Sequence, residues 1–192
     1  MTDPASALSA WENFYVIVGS SGGALIGLQF VVITLIADSR HRAAEGSLNA
    51  FGTPTVVHLS GALIVSAIMS VPWPSLFAAS VAVGICGLGG LAYGVIVVRR
   101  ARRQTDYEPV GEDWLWYIAL PCVGYAALAV SAVFLRTTPQ TALFVVGAVA
   151  LGLLLVGIHN AWDTVTYIIV TDPDKAKKTD RTTEASSGSP QE

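Results

Sequence analysis

Charge is what this sequence has least of. Asp, Glu, Lys and Arg make up 13% of its 192 residues, whereas roughly a quarter of an average soluble domain is charged. With 53% hydrophobic residues and a mean hydropathy of +0.57, the scarcity argues against a water-exposed globular surface and for a chain whose solvent is lipid. Histidine and cysteine are scarce too. His41, His58 and His159 are the only histidines, too few for a histidine-rich metal site. Cys86 and Cys122, the only cysteines, lack the spacing of a metal or redox pair and read as small buried apolar residues. No Walker, Rossmann or HExxH motif occurs, and the serines beside glycines near residue 20 lack the strand-to-helix context of a hydrolase elbow. The expectation is a protein that is not an enzyme and uses neither metal nor cofactor. A net charge of -3 without a soluble basic domain leaves nucleic-acid binding unsupported.

What the sequence has in abundance is uncharged length. A bilayer core of about 30 Å needs roughly 20 apolar residues in helical form, and five such runs occur, at about 14–36, 55–71, 76–98, 114–135 and 141–170. The expected fold class is therefore an all-α integral membrane protein, a five-transmembrane-helix bundle. Its helices are placed at about 12–37, 54–72, 75–98, 113–135 and 140–170. The loops between them are short mixtures of Gly, Pro and charge, none long enough for a further domain. Residues 1–10 form a short outer segment, and 171–192, polar and free of aromatics, read as a disordered cytoplasmic tail.

Lys and Arg are retained on the cytoplasmic side of a membrane. With the N-terminus outside and the C-terminus cytoplasmic, ten of the eleven Lys and Arg residues lie inside and only Arg136 lies outside. The start, MTDPASALSAWEN, lacks the positive segment of a cleaved signal peptide, so the first apolar run reads as an anchor. Trp11, Phe14, Tyr15 and Trp73 are expected at the outer interface, and Trp114, Trp116 and Tyr117 at the inner one. Bacterial plasma-membrane residence is expected from small size, simplicity and the lack of N-glycosylation sequons. The run RRARR places Arg99, Arg100, Arg102 and Arg103 where anionic lipid headgroups would attract them, although topology alone also explains it.

Between lipid-immersed helices, association depends on close contact and hydrogen bonds, and small residues permit both. Gly19, Gly23 and Gly27 recur every four residues in the first helix, a doubled Gly-x-x-x-Gly stripe. Ala82, Cys86, Gly90 and Gly94 repeat the device in the third helix, and Ala148 and Gly152 more loosely in the fifth. These stripes are expected to hold one protomer together or to join copies. Gln29 falls off the first stripe, toward Gly22, so the first helix is expected to be contacted on two sides, at the bundle centre or between protomers.

Ionisable and amide side chains within a membrane are functional candidates by default. Here they are Gln29, His58, His159, Asn160 and Asp163, joined by Tyr167, all toward the expected cytoplasmic end. His159 and Asp163 are four residues apart and so share a helix face, with Tyr167 one turn on. That face continues the Ala148 and Gly152 line and is expected to pack inward; His58 shares its side of the second helix with Ala62, Ser66 and Met69. A proton, ion or lipid-headgroup site around His58, His159 and Asp163 follows, set against belt residues at headgroup level or a purely structural hydrogen bond. Pro121 should kink the fourth helix. The expected function is a binding or regulatory module that self-associates or joins a larger membrane complex; the alternative is an oligomeric channel or transporter using the inner polar residues. The expected partners are membrane lipid and further copies of the chain or another membrane protein.

Overall fold

The computed structural model describes residues 4–39, 53–101 and 114–170; Arg102, Arg103, the 171–192 tail and the side chains of Arg100 and Tyr167 lie outside the described residues. Among these residues every regular element is helical, and no strand occurs. A short α1 (Pro4–Ser9) leads into α2 (Glu12–Ser39), followed by α3 (Thr53–Ser70) and α4 (Leu76–Ala101). A π turn (Leu115–Ala119) runs into α5 (Leu120–Phe134), and α6 (Pro139–Val170) completes the bundle. Five helical segments are long and apolar enough to cross a membrane, the π turn and α5 together forming one of them.

Local chemistry explains the ends. Pro72 and Pro74 cannot continue α3, and the Trp73 indole N–H donates to the Ile68 carbonyl at 2.7 Å, covering an acceptor in the last turn of that helix. At the same end of the bundle, Pro139 occupies the first turn of α6, where a missing N–H costs nothing. The Arg136 guanidinium lies there over the Phe77 ring at 5.2 Å. The π turn sits immediately before Pro121. Proline has no N–H to give the carbonyl four residues back, and the backbone widens by one residue instead, with the Leu120 N–H donating to the Leu115 carbonyl.

Helices α3, α4, α5 and α6 close a ring of antiparallel neighbours, and α2 lies outside it along α3 and α6. The centre belongs to α3 and α6: 56% of the apolar span of α6 is buried inside the chain, against 11% for α4. This corrects the expectation that the first helix sits at the bundle centre. Its buried residues, Tyr15, Val18, Gly19, Gly22 and Gln29, lie on one side. Gly22 meets the backbone of Leu59 and Leu63, and Gly19 meets Ser66. Gln29 shares the Gly22 face because the two are seven residues, or two turns, apart. The expected intrachain role of the Gly19, Gly23, Gly27 stripe is thereby confined to Gly19: Gly23 and Gly27 are exposed, with nothing within 4 Å of where a side chain would start.

On α4, glycines meet α5 directly. Gly90 lies against the Tyr125 ring, Gly94 against Cys122 and Gly87 against the backbone of Ala129 and Tyr125. Tyr125 crosses the middle of the ring, and its hydroxyl reaches the space beside Gly61 on α3. On α6 the buried line is displaced from the one expected. Ala148 is exposed and a side chain at Gly152 would meet nothing within 4 Å, while Val146, Ala150, Leu153, Gly157, Asn160 and Thr164 face inward. The reason is Gly157, which admits Leu59 of α3 into close contact and so fixes the rotation of the helix. Large apolar side chains left outside the ring, among them Ile17, Ile85, Val123, Val133 and Phe144, cover its outer surface.

The aromatic residues near the chain start differ from a simple interfacial belt. Tyr15 is buried, and Trp11 packs on Gly147 and edge-on to Phe144, with ring centroids 4.8 Å apart. Together with Leu8 of α1 they join the core.

Candidate polar site inside the bundle

Hydroxyl groups within the helices have an easy solution to apolar surroundings, because they can donate to a carbonyl of their own helix. Thr34, Ser70, Ser80, Thr164 and Thr166 all do so, at 2.7 to 3.0 Å. Imidazole and carboxamide groups held away from their own helix need partners across the bundle. They collect at one end, where α2 and α6 finish and α3 begins.

The contact register sets that level. Gly19 with Ser66 and Gly22 with Leu59 and Leu63 make α2 and α3 antiparallel, so Gln29 falls opposite the first turns of α3. Gly157 with Leu59 and Gly61 with Leu153 do the same for α3 and α6, so Asn160 falls there too. Gln29, Thr55, His58, Asn160 and Thr164 are all buried, Asn160 completely at 0% exposure. His58 stands within an aromatic wall, its ring centroid 6.5 Å from Tyr93 of α4 and 6.2 Å from Tyr125 of α5.

Tyr117 ties the level together. Its hydroxyl donates to the Asn160 carbonyl at 3.4 Å, a long bond, and that carbonyl also accepts from Thr164 at 2.8 Å. The Tyr117 backbone lies beside the His58 ring, although neither ring nitrogen makes an aligned hydrogen bond. Asn160 Nδ2 and Oδ1 and Gln29 Nε2 are likewise buried without a hydrogen-bond partner. A buried polar group in that condition costs about 1–3 kcal/mol, so this end of the bundle carries a concentration of unmet hydrogen-bonding capacity. A smaller one, Tyr15 Oη and Ser66 Oγ, lies toward the opposite end of the α2–α3 seam.

His159 and Asp163 do not share the interior. Their face is turned to the rim, with side chains 29% and 43% exposed, and His159 Nε2 lies 3.1 Å from the Asp163 carboxylate. That approach lacks hydrogen-bond alignment and stands as an ion pair only when the imidazole is protonated. Trp116 stacks on His159 with ring centroids 3.8 Å apart. The expectation that His159 and Asp163 lie on the inward face is corrected: Asn160, next to His159, takes the interior, because Gly157 turns that side of α6 toward Leu59. No known family, curated protein or solved structure matches this chain.

The site therefore divides into a neutral interior of Gln29, His58, Tyr117 and Asn160 and a titratable rim of His159 and Asp163. No group of three or more His, Cys, Asp and Glu side chains able to hold a metal occurs among the described residues. Cys86 and Cys122 are free thiols, and Cys122 lies against Gly94. Arg99 is exposed at the end of α4. Tyr117 is the residue that sequence reasoning assigned to an interfacial belt. The signal available was its position four residues before Pro121, where a helix must rearrange.

Proposed function

We propose that this protein is a multi-pass integral membrane protein, N-terminus outside and C-terminus cytoplasmic, in a bacterial plasma membrane, and that it works by assembling with a second copy of itself through α2. The outward apolar cover on every long helix supports the membrane setting, since a water-soluble monomer rarely exposes contiguous apolar surface on this scale. The Lys and Arg distribution supports the orientation.

One observation carries the assembly reading. Ser20, Gly23, Ala24 and Gly27 form an exposed strip of small residues on α2, and a Cβ at either glycine would meet nothing of its own chain within 4 Å. Against lipid tails a leucine would serve the helix better, since each glycine costs about 1 kcal/mol of helix propensity relative to alanine. Facing a second helix, the same strip allows backbone approach and interhelical van der Waals contact. Self-pairing suits it because a two-fold contact sets the same strip on both sides.

The test is the oligomeric state of the full chain in lipid nanodiscs, for wild type and for a Gly23→Leu, Gly27→Leu double variant. A wild-type dimer and a variant at least tenfold weaker in association, about 1.4 kcal/mol, are expected, with unchanged stability of the single chain because neither glycine is packed within it. A monomeric wild type, or a variant that dimerises as before, would refute the reading. A wild-type monomer carrying a different membrane protein, released by the double variant, would transfer the same face to a larger complex. The channel or transporter reading draws on a different observation, the unpartnered polar interior at His58 and Asn160, and would show in the same particles as a ring enclosing a polar axis.

A further inference from the structure

We infer that the interior at His58 and Asn160 is a binding site for water, held between α3 and α6 with Gln29 of α2 at its margin. The chemistry of the unpartnered atoms selects the occupant. Asn160 Nδ2 and Gln29 Nε2 are donors, Asn160 Oδ1 is an acceptor, and the two His58 nitrogens of a neutral ring supply one of each. An anion would meet the donors and leave the Asn160 oxygen and one imidazole nitrogen unmet. A metal ion would use those two and be repelled by the amide hydrogens. Water gives and accepts, and buried water in proteins commonly makes about three hydrogen bonds to polar groups that otherwise have none.

Geometry agrees with that selection. His58 and Asn160 sit on facing helices within about one turn of each other, both bordering Tyr117, whose backbone adjoins the imidazole and whose hydroxyl meets the Asn160 carbonyl. Both are more than nine-tenths buried, so they cannot draw on bulk solvent directly. In a membrane bundle, ordered water is one of the groups that can satisfy backbone freed at a proline-broken helix, and the π turn before Pro121 borders this level. The proposal is independent of self-association through α2.

Solid-state NMR of the full-length, nitrogen-15-labelled protein in lipid bilayers tests it by the transfer of water magnetisation. The His58 ring nitrogens and the Asn160 side-chain amide are expected to build up several-fold faster than the backbone amides of Leu128 and Ala150, which are equally buried in apolar surroundings. Asn160→Leu is expected to slow the build-up at His58 several-fold, because the water loses one of its holders. Build-up at His58 and Asn160 no faster than at Leu128 would overturn the site, as would a direct His58 to Asn160 correlation without water transfer. A His58 signal unaffected by Asn160→Leu would overturn the shared occupancy. Should that variant fail to fold, the wild-type comparison decides alone.

Discussion

Gly87→Ala is expected to destabilise the bundle, and Gly87→Val to leave little folded protein. A Cβ at Gly87 would stand 2.6 Å from the Ala129 amide nitrogen and 2.9 Å from the Tyr125 carbonyl oxygen. Both are backbone atoms of α5 and cannot rotate aside. The helices would have to separate, opening the neighbouring contacts of Gly84 with Ala132 and Gly94 with Cys122. Overpacking of this kind costs about 1–3 kcal/mol, enough to cancel the roughly 1 kcal/mol that alanine brings to a helix, and valine adds two methyl groups to the clash. Gly89 on the same helix is the control. It is exposed with nothing within 4 Å, so Gly89→Ala should be neutral or stabilising by up to about 1 kcal/mol. Denaturant titration in mixed micelles would measure both. Equal responses at the two positions would refute the α4–α5 seam as the cause.

The contrast between Gly87 and Gly89 also shows what could and could not be read from the sequence. Helix number and approximate extent follow from a one-dimensional property, the length of uncharged runs, and hydropathy alone located the five long helices. Rotation about each helix axis does not. A soluble helix declares its inward side through polar residues on the other, but in this chain the outward side is apolar as well. Spacing of small residues was the remaining guide, and it has two solutions. On α4 the line through Gly90 and Gly94 is the packed one, whereas on α2 the regular Gly19, Gly23, Gly27 line leaves the chain after its first member. Gly22, which interrupts that regularity, makes the contact.

The polar site was legible to the same degree. His58, with Ala62, Ser66 and Met69 on its side of the helix, lies on a buried face, because Gly61 and the small residues around it suit a central helix. On α6 the more strongly ionisable residues drew attention to His159 and Asp163, yet burial within the bundle selects the amide Asn160 for the interior and leaves the pair at the rim. The physical rule is that an amide costs less to bury than a charge. Tyr117 and Tyr125 could not be assigned before the path of the chain around Pro121 was known. The side chain of Tyr167 and three of the four arginines of RRARR fall outside the residues whose side chains are described.

Tyr125 provides the second large effect, and it is best read as a cycle with Gly90. Truncating a large aromatic side chain in a core costs about 3–5 kcal/mol, and Tyr125 is 3% exposed at the centre of the four-helix ring. Tyr125→Ala should therefore destabilise strongly. Gly90→Leu should do so as well, because its Cβ would fall on the Tyr125 ring, and that ring has no room to retreat. A side chain at Gly61, on the far side, would begin only 2.5 Å from the Tyr125 hydroxyl, so the ring already fills the gap between α3 and α4. In the Tyr125→Ala background, however, the leucine enters vacated space. The double variant should be more stable than the sum of the two losses by about 1–3 kcal/mol, at the upper end of coupling for residues in contact. The same cycle bears on the polar interior, since Tyr125 is one of the walls around His58. If Gly90→Leu is as harmful without the tyrosine as with it, the glycine is required for something other than this ring, and the packing assigned to the bundle centre is wrong.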